Sequence, residues 1–207
     1  EDQVERTPDA VAVVFDDEYL TYGELNRRAN KLARHLVRLG IGPDVKVSIC
    51  IDKCLDLPVA VLGTLKAGGA YVPVDPTYPK DRISYMLQDS NASVVLTHQE
   101  IQSILPGDDI PVVLLDKDWP EIERLDGENL SRYSDADNLA YMIYTSGSTG
   151  KSKGTMISHK SIVNAYCAWE KDYHLCTEVN SHLQMASFSF DVFGGDFVRA
   201  GCAGGKL

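Results

Sequence analysis

The chain has 207 residues, 44% of them hydrophobic and 24% charged, a composition that supports one or two globular domains with a core that needs no staples. Thirty acidic against twenty basic residues leave a net charge of -10, which argues against nucleic acid and anionic membranes as partners because both call for a basic face. A small anionic ligand stays compatible, since backbone N–H groups can hold phosphate inside an acidic protein.

No stretch reaches the roughly 18 apolar residues of a membrane span. The opening EDQVERTPDA carries no basic segment followed by an apolar one, so no secretory leader is expected. Both ends are abrupt, as in a piece of something longer. Cys50, Cys54, Cys167, Cys176 and Cys202 make an odd set without a CxxC pair, which fits a reducing cytoplasm better than a disulfide framework. Cys50 and Cys54 have no histidine or further cysteine close enough in sequence to complete a zinc pattern, so no metal ligand is assigned and the thiols read as small core residues.

Thr21-Tyr22-Gly23-Glu24 reads as a capping box that opens a helix. Leu25, Ala29, Leu32, Ala33, Leu36 and Val37 follow at helical spacing, and Gly40 supplies the stop. Arg27, Arg28, Lys31 and Arg34 give this helix a basic outer face that reads as solvated. An alternation then begins, with a strand predicted over Val45–Ile51, a helix over Leu57–Ala67, a strand over Ala70–Val74 and a helix over Pro79–Gln88. Further strands are predicted over Ala92–Thr97 and Val112–Leu115. Residues 117–138, rich in charge, read as a surface excursion. The rhythm resumes with strands over Leu139–Tyr144 and His182–Ala186 and helices over Ser158–Trp169 and Asp191–Ala200. Strands alternating with helices predict an α/β fold with a parallel, doubly wound sheet.

The most informative stretch is Tyr144-Thr-Ser-Gly-Ser-Thr-Gly-Lys-Ser-Lys-Gly154, which follows a buried-looking strand. Gly147, Gly150 and Gly154 let the backbone turn sharply and approach a ligand. Thr145, Ser146, Ser148 and Thr149 offer hydroxyls, and Lys151 and Lys153 offer charge. Together these are the donors a polyphosphate needs. The Walker A pattern requires glycine where Thr145 stands, which demotes a P-loop NTPase to an alternative. A flexible Gly/Ser loop without a ligand is a second alternative.

The loop resembles the signature of the adenylate-forming superfamily, which includes acyl-CoA synthetases, luciferases and the adenylation domains of nonribosomal peptide synthetases. Three other segments are similar to the last group. They are Leu20-Thr-Tyr-Gly-Glu-Leu25, Leu65-Lys-Ala-Gly-Gly-Ala-Tyr-Val-Pro-Val-Asp-Pro76 and Phe188-Ser-Phe-Asp191, which match its first, second and fourth core motifs in order. One departure is Ser152, where the family usually has proline, and a looser loop is expected there.

The resemblance implies that residues 1–207 are the N-terminal part of the large subdomain of an amino-acid adenylation domain, with layered sheets and helices. The C-terminal remainder, with the magnesium-holding acid, the ribose-binding aspartate, the hinge and the C-terminal lysine, is absent. It implies ATP and Mg2+ as cofactors. Its partners would be an amino acid, a carrier protein bearing phosphopantetheine, neighbouring synthetase domains and the missing C-terminal part. Thr145, Ser146, Gly147, Ser148, Thr149, Gly150 and Lys153 would cradle the phosphates, with Lys153 also catalytic. Asp191 would pair with the substrate's α-ammonium, whereas from the residues alone it reads as a helix N-cap. Val192 and Gly195 would line the side-chain pocket, where glycine implies a long and cationic substrate side chain. The piece alone is expected not to complete adenylation, and a sheet cut after Leu207 is expected to expose apolar surface. A non-catalytic interaction or scaffold fragment is the remaining alternative. His98, His159 and His182 read as structural or surface residues.

Overall fold

The computed structural model describes residues 1–107, 110–131, 134–146 and 152–207. The elements in chain order are α1 (Asp2–Arg6), β1 (Val11–Phe15), β2 (Glu18–Thr21), α2 (Tyr22–Arg38), β3 (Lys46–Cys50), α3 (Asp56–Lys66), β4 (Ala70–Pro73) and α4 (Lys80–Ser90). They continue as β5 (Val94–Thr97), β6 (Val112–Leu114), α5 (Trp119–Ile122), β7 (Leu139–Thr145), β8 (Lys153–Ser158), α6 (His159–Tyr173), α7 (Leu175–Glu178) and α8 (Asp191–Ala203). Six strands form one sheet in the order β6-β5-β3-β4-β7-β8. All its neighbours pair in parallel except β7 and β8, which are antiparallel.

The sheet is covered on both faces, as a parallel sheet must be. One face meets α2 and α3 through Leu32, Leu36, Val59 and Ile49. The other meets α4 through Ile83, Met86, Leu87, Val95 and Tyr144. In α2, the Thr21 side chain accepts from Glu24 N at 3.2 Å, so the cap forms. The Glu24 carboxylate turns to Arg27 instead of closing the box. Gly40 takes φ +87 and ends the helix as predicted. A Cβ on Gly63 would come within 2.8 Å of Leu32 Cδ2, and this lack of a side chain lets α3 press close against α2.

Three features depart from the sequence reading. Residues 11–21, to which the sequence pattern assigns no element, form an antiparallel hairpin that turns at Asp16 with φ 51. His182–Ala186 is not a strand, because among the described residues no strand pairs with it beyond one bridge between the adjoining Ser181 and Lys206. Its Leu183 and Met185 stand 80% and 78% exposed.

The basic face of α2 is the third departure, because it is paired and not merely solvated. Arg27 and Lys31 converge on the Glu123 carboxylate at 2.7 and 2.8 Å, and Arg34 reaches Asp126 at 2.9 Å. Asn30 donates to Gly127 O at 2.8 Å. The charged excursion therefore lies along α2, anchored by the buried Ile122. Lys31 and then Arg27 hold the Glu123 carboxyl down at about 2, against an ordinary 4.5. The unfolded chain takes up that proton first. The pairing is complete above pH 4.5 and is lost as pH falls toward 2. Glu123→Gln should flatten that acid limb in urea melts by about 1 kcal/mol at most, because the pair is half exposed to water.

Candidate functional site

The predicted phosphate loop joins β7 to β8. Thr145 and Lys153 face each other across the last rung of that hairpin, both exposed at the mouth of the loop. Ser146 is exposed beside them. Gly147, Ser148, Thr149 and Gly150 lie outside the described residues, as does Lys151. A P-loop runs from a strand directly into a helix. Here the loop is followed by an antiparallel strand, which removes the NTPase alternative.

The roots of the loop are pinned to α4. Tyr144 Oη donates to Asp89 at 2.8 Å, and burial first and Asp89 second push its phenol far above the ordinary value. Tyr85 Oη donates to Ser152 O at 2.9 Å, so the position without proline is tethered by a side chain instead. Gly154 is where the hairpin crosses Met142, and a Cβ there would collide with Met142 Cε.

The Phe188–Asp191 motif packs onto the same strands. Phe188 is buried between Tyr71, at a ring distance of 5.9 Å, and Phe193, at 4.9 Å. Tyr71 in turn stacks on Tyr141 of β7 at 5.3 Å. Two serines fasten the motif from below. Ser187 Oγ donates to Asp75 at 2.9 Å, and Ser189 Oγ and Tyr78 Oη lie 2.9 Å apart. Burial works to raise the Asp75 carboxyl, but hydrogen bonds from Thr77 and Ser187 and the charge of Arg82 outweigh it and hold it below the ordinary value. At the far end of α8, Tyr22 Oη donates to Gly205 O at 2.6 Å, which ties in the first motif.

Asp191 is the first residue of α8, Phe190 holds the N-cap position, and no side chain caps the helix. The cap reading of Asp191 therefore fails. The carboxylate instead borders a cavity of about 380 Å3 that it shares with Tyr141, Trp169, Val192, Gly195 and Arg199. Val192 is 52% exposed. A Cβ on Gly195 would point at Trp169 Cη2, 3.2 Å away, and at Arg199 Nη1, 3.8 Å away. Sequence reasoning missed Trp169 and Arg199, one on α6 and one two turns along α8. Arg199 pairs with Asp196 and lies 4.6 Å over the Trp169 ring. With Asp196 so engaged, the described wall supplies no carboxylate beyond Asp191, and the cationic part of the substrate expectation finds no support in it.

A second, mostly apolar cavity of about 330 Å3 lies among α2, α3, α6 and α8, lined by Leu25, Leu62, Tyr166 and Phe197. None of the predicted site residues borders it. His98, read from sequence as a structural or surface residue, lies 3.1 Å from Asp56.

Comparison with known proteins accords with this geometry. The chain is 50% identical over 208 residues to gramicidin S synthase 2 of Brevibacillus brevis and 45% identical over 207 residues to tyrocidine synthase 3 of Brevibacillus parabrevis. Each alignment covers 100% of the chain but only 5% and 3% of those proteins. Among solved structures, the nonribosomal peptide synthetase FmoA3 in its AMPPNP-bound form matches with a TM-score of 0.88 at 30% identity, over 99% of this chain and 21% of that one. Its form bound to alpha-methyl-L-serine-AMP matches at 0.87. Residues 1–207 match the AMP-binding enzyme family from end to end, and the chain belongs to that family.

Proposed function

We propose that residues 1–207 are the N-terminal part of an amino-acid adenylation domain and that the protein carrying them activates an amino acid for nonribosomal peptide synthesis. The substrate carboxylate attacks the α-phosphorus of ATP, the bond to the bridging oxygen breaks, and pyrophosphate leaves. A phosphopantetheine thiol on a carrier protein then takes the aminoacyl group and AMP departs. The observation that carries this reading is the junction at β7. Its end presents Thr145 opposite Lys153 for phosphate, while its Tyr141 lines the cavity headed by Asp191.

Phosphate contacts are assigned to Thr145, Ser146, Gly147, Ser148, Thr149, Gly150 and Lys153, and charge moving onto pyrophosphate would be stabilised by fixed donors and the Lys153 cation. Magnesium would enter on the triphosphate, whose oxygens supply much of its shell. Thr145 and Ser146 are the described hydroxyls that fit beside it. FmoA3, whose structures hold AMPPNP and an aminoacyl adenylate, supports both ligands by likeness. The cysteines among the described residues are free thiols, which suits the reducing cytoplasm. Among the described residues no helix is long and apolar enough to cross a membrane.

Amino-acid-dependent ATP–pyrophosphate exchange, run on the complete protein against a panel of amino acids, tests this. One or a few amino acids should drive exchange. Lys153→Ala should lower it about tenfold or more, the cost of losing a charge-assisted contact, with the ligand-free melting temperature nearly unchanged. Exchange that ignores every amino acid, or that is unaffected by Lys153→Ala at limiting ATP, would overturn the assignment.

A further inference from the structure

The strand order contains a reversal away from the nucleotide loop. The chain leaves β3, pairs β4 on one side, then crosses back to set β5 on the other side of β3. The connections from the carboxyl ends of β3 and β5 therefore part in opposite directions. Such a switch point opens a crevice, and open α/β sheets bind ligands there. In this chain the crevice is furnished by Cys54 and Asp56, from the connection after β3, and His98, the residue after β5.

These three side chains bring a sulfur, a carboxylate oxygen and a ring nitrogen all within 4.8 Å of one another, each partly buried. In a tetrahedral zinc site, ligand atoms stand about 3.3–3.7 Å apart, as bonds of roughly 2.0–2.3 Å require. A small side-chain adjustment closes the difference. Thiolate, imidazole and carboxylate together form a donor set for a borderline-soft divalent ion, whereas calcium and magnesium call for oxygen alone.

The surroundings are those of supported ligands. Asp56 keeps one oxygen 2.8 Å from Arg28, whose guanidinium lies 4.6 Å over the Trp119 ring. The other oxygen lies 3.1 Å from His98 Nε2. The backbone of Asp56 and Leu57 lies close to the Cys54 thiol, and Asp52 adds negative charge nearby. Asp116 and Glu100 add negative charge around His98. Arg28 is the cation paired into this group, and acids outnumber it. Without an ion, Arg28, Asp56 and His98 form a plain ion-pair network, and Cys54 packs at the edge of the core with its sulfur within reach of that network.

We propose that Cys54, Asp56 and His98 form a binding site for a zinc-class divalent cation, with water in the fourth position. None of the three is among the residues assigned to ATP or the amino acid, and the proposal does not depend on the adenylation reading.

The test uses the complete protein that carries this chain, stripped of metal and titrated with Co2+ alone. A thiolate-to-cobalt charge-transfer band should grow to one equivalent, with tetrahedral d–d bands beside it, and Zn2+ should abolish both. Cys54→Ser should lose the band, and His98→Gln should weaken the titration. A titration identical in the parent and in Cys54→Ser would overturn the proposal. Unsubstituted protein gives a second measurement that no folding defect can blur. Zn2+, but not Mg2+, should block alkylation of Cys54 as followed by peptide mass, and an unchanged alkylation rate would equally overturn the site.

Discussion

Asp191→Asn, made in the complete protein, should raise the apparent dissociation constant for the amino acid by about 10- to 100-fold while leaving that for ATP close to the parent value. The substitution keeps the size and one hydrogen-bonding oxygen but removes the charge. A hydrogen bond to a charged partner contributes about 1.5–3 kcal/mol, and a desolvated ammonium facing a neutral amide forfeits much of it. The carboxylate makes no capping bond in α8, so the fold has little to lose. Its charge at the helix N-terminus contributes about 0.3–1 kcal/mol to stability, which bounds the expected change in melting behaviour. Isothermal titration with each ligand separates the outcomes. Equal weakening of amino acid and ATP would mean that Asp191 supports the structure and does not hold the ammonium.

Gly195→Trp should change which amino acid is activated more than how much is activated. The Cβ direction at 195 leads to Trp169 and Arg199, into the cavity that Asp191 heads. An indole there must displace the Trp169–Arg199 stack or fill the space a long substrate side chain would take. Overpacking of this kind costs about 1–3 kcal/mol, or roughly ten- to a hundredfold in rate. The readout is the ratio of exchange rates for the preferred amino acid and for alanine, in variant against parent. That ratio should fall by an order of magnitude or more. If both rates drop together, residue 195 packs the helix and does not read the substrate. Gly195→Ala is the control. Its contact with Trp169 needs only a few tenths of an ångström of give, and alanine regains about 1 kcal/mol of helix propensity.

Helix ends were the most legible part of the fold, because their signals are local. Thr21 caps α2 and Gly40 ends it where the residues say so. The hairpin of β1 and β2 was hidden because its turn uses Asp16 and Asp17 in place of the usual glycine or asparagine. His182–Ala186 alternates like a strand, but a strand needs a neighbour, and pattern alone does not say whether one is at hand. The basic face of α2 misled for a similar reason. Its partners Glu123 and Asp126 lie more than ninety residues on, in a stretch whose charge reads as solvation. The proposed site is read from contiguous motifs, at Thr145, Lys153 and Asp191. Trp169 and Arg199 join it only through the packing of α6 on α8. Cys54 and His98 meet only because β5 returns to the side of β3 opposite β4.

The two serine contacts that precede α8 also bear on how this enzyme family can be re-engineered. Ser187 and Ser189 tie the stretch that carries Asp191 and Gly195 to Asp75 and Tyr78, more than a hundred residues earlier, and Tyr22 holds its far end. A chimera that imports residues 187–205 from a relative therefore receives half of each fastening. The donor's serines must find an acid and a phenol already in place, or the new pocket sits on a loosened floor however well its lining is chosen. Exchange boundaries drawn to carry the 75–78 turn together with the α8 segment keep both halves, and chimeras cut that way should retain more of the parent's turnover than those cut at the motif alone.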